Sequence, residues 1–421
     1  MHHLRKNWKS EVSKIKLFPH QEKALNETYH HDRVAYYLDM GLGKTFVGSE
    51  KMWELNTPYN LLICQKSKID DWAEHFNRFY DYEVVIYDKQ PIEKIKEDSV
   101  LIINYERAWR RPALKKLKNF TLMLDESSKI KNENSNQTKF ILGLKPDHVI
   151  LLSGTPTGGK YEELWSQLHL LGWKIDKKTY YRHYVEQEWD DLNKKFNIVG
   201  YKNVDRLKRK LRQYGAVFMK TDEFFDLPKV NERIIKIPST KEYHEMARHG
   251  IVEIDGKMLV GDMASTKRLF LRQLAGQYNN HKMAYIKDLI DSTNDRIIIF
   301  YNFKMEYELL SKLIDKPIST VNGDLKDLSA YEQYENSVTL IQYQAGAMGL
   351  NLQKANKIVY FTLTDKSELF EQSKKRVHRI GQERPVFYYY LLTAGSIEWR
   401  MKEVLEMRKD YTDELFEEEE M

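Results

Sequence analysis

The sequence predicts an α/β protein of two tandem domains, each built on a parallel sheet, with a helical insertion between them. Three observations carry this. The chain has 421 residues, more than one ordinary domain holds. Short apolar runs of strand length recur along it, separated by longer polar stretches of helical character. These runs fall into two sets, divided by a polar, aromatic and basic middle.

The first set is 34–38, 61–65, 84–87, 100–105, 121–125 and 149–153. Each is rich in β-branched or aromatic residues, as expected of strands covered on both faces. The second set is 296–301, 318–322, 339–343, 357–363 and 386–392. Between about 176 and 214 strand-like runs are scarce, and Lys177-Lys178 and Arg206-Leu207-Lys208-Arg209-Lys210-Leu211-Arg212 stand out, so the stretch reads as a helical insertion on the first domain. Leu227-Pro228 marks a break near the linker. The expected division is 1–175 for the nucleotide-binding first domain, 176–228 for insertion and bridge, 229–405 for the second domain with its leading helices, and 406–421 for an acidic, solvated tail.

Hydrophobic residues make up 42% and charged residues 31%, which excludes a disordered chain. The formal charge is +5, and residues 417–420, all Glu, supply four of the 62 acids, so the body is more basic than the whole. That balance suits a polyanionic partner, although many soluble proteins share it. The single cysteine, Cys64, can form neither an internal disulfide nor a zinc cluster, and its apolar run Leu61-Leu62-Ile63-Cys64 places it in a strand. No apolar run approaches the roughly 18 residues that span a bilayer. Met1-His2-His3-Leu4-Arg5-Lys6 lacks the apolar stretch of a signal peptide, so no membrane contact and a cytoplasmic location are expected.

Chemistry is concentrated in three places. Asp39-Met40-Gly41-Leu42-Gly43-Lys44-Thr45 follows the first strand and opens a helix-compatible stretch. Glycines let backbone N–H groups close on phosphate, the helix N-terminus adds partial positive charge, Lys44 neutralises β/γ oxygens and Thr45 holds Mg²⁺. The strict form of this loop carries glycine at position 38, where this chain has Leu38. Second, Asp125-Glu126 closes an apolar strand, where unpaired charge is costly. A metal on Asp125 and a catalytic water on Glu126 would account for both acids. Third, Gln372, Arg376 and Arg379 lie more than 300 residues from Lys44, and the three-residue spacing of the arginines puts both on one face of a helix. They could stabilise the γ-phosphate only as fingers from the second domain; read alone, they also fit a solvated basic helix.

These pieces stand in the order of superfamily 2 helicase motifs, and their wording resembles the Snf2 group. Leu17-Phe18-Pro19-His20-Gln21 resembles the glutamine motif, Asp39 to Thr45 motif I, Ser67 to Phe76 with Trp72 motif Ia, and Asn104-Tyr105-Glu106 motif Ib. Asp125-Glu126-Ser127-Ser128-Lys129-Ile130-Lys131-Asn132 resembles motif II and Ser153-Gly154-Thr155-Pro156 motif III, followed by Glu163-Leu164-Trp165. Ile298-Ile299-Phe300-Tyr301 resembles motif IV, residues 345–352 motif V, and residues 372–382, ending His378-Arg379-Ile380-Gly381-Gln382, motif VI. Phe218-Met219-Lys220 through Leu227-Pro228 resembles the segment bridging the lobes. Departures are Ser128 for the usual histidine, Ala347 for a common glycine, and Gln342-Tyr343-Gln344 for a Ser/Thr-rich lead-in.

The resemblance implies two RecA-like lobes and ATP hydrolysis, with Gln21 on adenine, residues 40–45 and Gly349 on the nucleotide, and Mg²⁺ as cofactor. It also implies a phosphate-tracking grip on double-stranded DNA, branched or single-stranded forms being further candidates. Lys66, Ser67, Asn104, Tyr105, Asn302, Gln342 and Gln344 are the candidate contacts, with the basic run 206–212 and the aromatics Trp173, Tyr180, Tyr181 and Trp189 as secondary candidates. A monomeric translocase of minimal bacterial or phage type is expected, acting in replication, repair or recombination. Its alternatives are a strand-separating DNA or RNA helicase and an inactive DNA-binding subunit.

Overall fold

A computed structural model describes residues 15–191, 194–346 and 349–416. The chain divides into two units, one of residues up to Phe224 together with those from Tyr411 onward, the other Phe225–Asp410.

The first unit is a seven-stranded parallel sheet. Its strands are β1 (Arg33–Leu38), β2 (Tyr59–Cys64), β3 (Glu83–Ile86), β4 (Ser99–Asn104), β5 (Phe120–Asp125), β6 (His148–Ser153) and, after an antiparallel hairpin of β7 (Val185–Asp190) and β8 (Lys195–Tyr201), β9 (Ala216–Met219). Spatial order is β3-β4-β2-β5-β6-β1-β9. β2, β4, β5 and β6 are buried along almost their whole length, which explains their unbroken apolarity. Leu61, Leu101, Leu122 and Leu151 form the middle of the core with Tyr37 and Tyr161.

The second unit carries β10 (Val230–Ile237), the antiparallel pair β11 (Ile251–Ile254) and β12 (Lys257–Val260), then β13 (Ile297–Tyr301), β14 (Ile318–Val321), β15 (Lys326–Asp327), β16 (Val338–Gln342), β17 (Lys357–Tyr360) and β18 (Val386–Thr393). Its main sheet runs β10-β18-β17-β13-β16-β14-β15 and is parallel except for the last pair. Fully buried β13 lies at its centre, with core on both faces.

Every strand expected from the apolar runs is present, and both units are α/β with parallel sheets, as predicted. Four features differ. The stretch 176–214 is only partly helical: helices Lys177–Tyr184 and Val204–Gln213 flank the β7–β8 hairpin. β9 lies within the expected bridge and pairs in parallel with β1. β10, with Glu232, Arg233 and Lys236 among its eight residues, is too polar to show as an apolar run, yet pairs with β18 along its full length. Residues 406–416 are not a solvated tail. The helix Ile397–Phe416 is continuous, Leu415 is fully buried in the first core, and Tyr161 Oη donates to Tyr411 O at 2.7 Å and to Glu414 Oε2 at 2.6 Å. The four glutamates at 417–420, Met1 to Lys6 and Ala347 lie outside the described residues.

Candidate nucleotide site and nucleic-acid interface

In an open parallel sheet, groups at the carboxyl ends of the strands converge on one crevice, and ligands bind there at the point where strand order reverses. The loop after β1 (39–43) meets the helix Lys44–Leu55, with Gly41 at φ 95° and Gly43 at φ 76°, conformations that tolerate little besides glycine. Gly43 also abuts Gln21: a Cβ there would collide with the amide nitrogen. Leu38 is the last, fully buried residue of β1, and its carbonyl accepts from Lys44 Nζ at 2.8 Å, with Asp39 O at 3.2 Å. The lysine is thus held inside the loop, where phosphate oxygens could replace those carbonyls. Gly154 lies beside it; a Cβ would come 3.2 Å from Lys44 Nζ and 3.4 Å from Leu38 O. The edge strand β9 supports the loop from the other side, Asp39 N donating to Met219 O at 2.9 Å.

Gln21 is buried. It accepts from Phe18 N at 2.9 Å and donates to Leu42 O at 3.1 Å, and His20 Nε2 lies 3.0 Å from the same carbonyl. Both side chains therefore hold the loop after β1 at Leu42, a role the sequence did not reveal. Adenine reading by Gln21 would use what hydrogen-bonding capacity remains.

At the end of β5, Asp125 Oδ2 accepts from Trp72 Nε1 at 2.9 Å. Burial pushes its carboxyl above the usual range, opposed by the Trp72 hydrogen bond and then by Lys44 and Lys68. Glu126 adopts left-handed backbone, φ 57° and ψ 60°, which costs a non-glycine residue about 1 kcal/mol or more and accumulates at functional sites. Tyr105 Oη, at 2.9 Å from Asp125 O and 3.3 Å from Glu126 O, fixes that turn. Ser153 Oγ reaches Glu126 Oε2 at 3.4 Å.

A residue the sequence gave no reason to select joins these loops. Gln167, fully buried, accepts from Tyr37 Oη at 3.0 Å and Ser127 Oγ at 2.7 Å and donates to Pro156 O at 2.7 Å. β1, the turn after Glu126 and the turn after Ser153 thereby share one hub. Ser128, in the place of the family histidine, is buried.

In the second unit, Gln372 lies on the helix Ser367–Lys374, but Arg376 and Arg379 follow its end and do not share a helical face as expected. Arg376 O accepts from Leu352 N at 3.1 Å, which diverts the backbone from helix. Arg376 is 2% exposed; Arg379 is the more accessible and donates to Asn351 Oδ1, with burial lowering its pKa. Gln382 holds this loop, donating to Gln353 O at 3.1 Å and Ala355 O at 2.8 Å, and His378 Nε2 lies 2.9 Å from Pro228 O. Gly349 is exposed, at φ 68°.

Among the candidate nucleic-acid contacts, Lys66 and Ser67 are exposed on the single turn Lys66–Lys68 after β2, and Gln344 is exposed after β16. Asn302 Nδ2 donates to Thr362 Oγ1 at 2.9 Å, and Gln342 Nε2 donates to Asn302 O at 3.1 Å. Two candidates are corrected. Tyr105 is 1% exposed with its hydroxyl committed to the acidic turn, so its side chain cannot touch a polymer at the surface. Asn104 is buried, with Nδ2 on Glu106 Oε2 at 2.6 Å. The run 206–212 buries Leu207 and Leu211 in the first core, and Tyr180 is fully buried, whereas Trp189 is open to solvent.

The SNF2-related domain model matches residues 20–284, more than half of the chain, and the helicase conserved C-terminal domain model matches 281–381. The chain belongs to the SNF2-related family, whose paired domains hydrolyse ATP. Relatives include the putative ATP-dependent helicase/translocase YwqA of Bacillus subtilis, 24% identical over 90% of this chain and 46% of its own. The chromatin structure-remodeling complex subunit snf21 of Schizosaccharomyces pombe is 23% identical over 86% and 35%. A Caenorhabditis elegans homologue of SWI/SNF-related matrix-associated actin-dependent regulator of chromatin subfamily A-like protein 1 is 23% identical over 92% and 60%. The chain thus spans between about a third and three-fifths of these relatives, none of which is viral. Among solved structures, the Sulfolobus solfataricus SWI2/SNF2 ATPase core in complex with dsDNA aligns over 96% of this chain and 93% of its own, at 22% identity and TM-score 0.46. No helix among the described residues is long and apolar enough to cross a membrane.

Proposed function

We propose that this chain is an ATP-driven double-stranded-DNA translocase, stimulated by DNA to hydrolyse ATP and acting in replication, repair or recombination. The observation that carries the chemistry is the convergence of Lys44, Thr45, Asp125 and Glu126 at the carboxyl ends of β1 and β5, with Lys44 acting electrostatically on Asp125.

Lys44 would exchange its carbonyl partners for the β/γ phosphates, and amides at the start of the helix Lys44–Leu55 would hold the remaining oxygens. Asp125 and Thr45 fit a hard dication: burial penalises the Asp125 charge, and a magnesium ion needs few protein oxygens besides phosphate and water. Such an ion would neutralise charge developing on the phosphates. Glu126, its backbone held by Tyr105, would orient the attacking water and take its proton. Arg379 and Arg376 are the proposed fingers for the transferred phosphoryl group, with Gln372 beside them. Lys66, Ser67, Asn302, Gln342 and Gln344 are the proposed track for phosphates, a kind of grip that gives affinity without sequence choice. ATP can drive motion only by binding one arrangement of the lobes better than another.

The test is phosphate release with blunt duplex, single-stranded DNA and RNA, beside displacement of a triplex strand from intact duplex. Duplex stimulation and triplex displacement, both lost in Lys44→Ala and Glu126→Gln, are expected. Stimulation by single strands alone, with unwinding of forks, would instead indicate a strand-separating helicase. No stimulation by any polymer would indicate an inactive binding subunit.

A further inference from the structure

We propose that the β7–β8 hairpin is a second nucleic-acid contact, which takes unpaired bases of a DNA flank on one of its two faces. The cross-strand pairs Trp189↔Phe196 and Gln187↔Ile198 share one face, and the pairs Glu188↔Asn197 and Asp190↔Lys195 share the other. The first face is apolar and open: Trp189 is 51% exposed and Phe196 62% exposed, their ring centroids 5.0 Å apart. The two rings pack mainly on each other and leave about half of their surface open, and an exposed apolar patch of this kind marks a binding surface.

Charge identifies the occupant. The aromatic face borders an open groove of about 780 Å³ lined by Lys178, Arg182 and Lys202 with Tyr181 and Phe196; Lys177, also in the lining, is ion-paired with Glu133. Asp176, the acid of that lining, accepts from Thr179 N at 2.9 Å as a helix cap. Glu186, Glu188 and Asp190 stand on the opposite face and would repel phosphate, while Asp191, beside the aromatic face, accepts from Trp189 Nε1 at 2.9 Å. Cations for a backbone beside open rings for bases is the arrangement that holds single strands, because every base has a stacking face and a duplex keeps those faces covered. The ligand is therefore an unpaired stretch at a duplex end or branch.

This inference rests on the reading of DNA as the polymer track, and the experiment separates the two. Binding is measured to one duplex in blunt form and in a form with an unpaired thymidine flank. The wild type should prefer the flanked form, and the Trp189→Ala/Phe196→Ala variant should lose roughly tenfold of its affinity for that form alone. Trp189→Phe should recover most of it. Lys178→Ala/Arg182→Ala should reduce the salt dependence of flanked binding by nearly two phosphate contacts. ATP turnover on blunt duplex should be unchanged in the aromatic variant, showing that the fold and the main track survive. Equal flanked affinity in wild type and aromatic variant would overturn the proposal, as would a change in self-association in place of DNA binding, which would assign the face to protein. If blunt duplex neither binds nor stimulates while flanked DNA is still lost on mutation, the translocase reading fails and the hairpin contact stands.

Discussion

Trp72 donates its indole N–H to Asp125 Oδ2 across 2.9 Å, tying the helix after the exposed Lys66–Lys68 turn to the carboxylate proposed to hold magnesium. The bond lowers the cost of charge on an acid that burial works to neutralise. Trp72→Phe keeps an aromatic ring at the site and removes the donor. The expected result is ATP turnover reduced about tenfold, with a higher magnesium requirement, since one charged hydrogen bond contributes roughly 1.5–3 kcal/mol. A magnesium titration of phosphate release checks it; an unchanged titration would mean Trp72 only fills space.

Gln167 is expected to matter for stability as much as for turnover. Gln167→Leu leaves Tyr37 Oη, Ser127 Oγ and Pro156 O without this partner. Buried polar groups left unsatisfied cost about 1–3 kcal/mol, so urea unfolding should show a lower midpoint with an unaltered slope.

Glu306 offers a pH prediction. Its Oε2 accepts from Asn302 N at 2.8 Å, Phe303 N at 3.0 Å and Thr362 Oγ1 at 3.0 Å, yet burial pushes its pKa up to about 7, against an ordinary 4.5. The folded protein then holds a proton that the unfolded chain has released between those values. Stability from this group is complete below 4.5 and is lost as pH rises towards 7, by up to about 3 kcal/mol. Glu306→Gln should flatten the difference in unfolding free energy between pH 5 and pH 8. Parallel pH profiles for variant and wild type would refute the assignment.

Arg379→Ala is expected to lower the maximal ATP turnover at least about a hundredfold while leaving ATP affinity within a few-fold, the signature of an interaction made in the transition state. Arg379→Lys should not restore it, because a point charge does not reproduce the planar fork. Equilibrium binding of a non-hydrolysable ATP analogue beside turnover separates the two effects; a matched loss in both would make Arg379 a ground-state contact.

The sheets were legible because buried parallel strands must be apolar throughout, and the tight turn after β1 because Gly41 and Gly43 need backbone freedom whatever surrounds them. β7 was not, since Glu186, Gln187 and Glu188 face solvent and leave no alternation. Nor was Gln167, whose partners lie 11 to 130 residues away. Tyr105 was misplaced because a strand-end position does not tell whether a side chain turns outward or back under the neighbouring loop. The three-residue spacing of Arg376 and Arg379 suggested a helix, but the carbonyls of Arg376, Val377 and Arg379 accept from Leu352 and Gln382 instead of continuing a helical ladder.

Leu415 and Phe416 complete a core whose other buried members end at Ala216. The first unit is therefore split in the gene product, with some two hundred residues emerging from the ribosome before its final side chains arrive. Nascent chains should leave the hydrophobic seat of Leu415 open until synthesis has passed it, a window in which chaperones or aggregation compete for the half-finished domain.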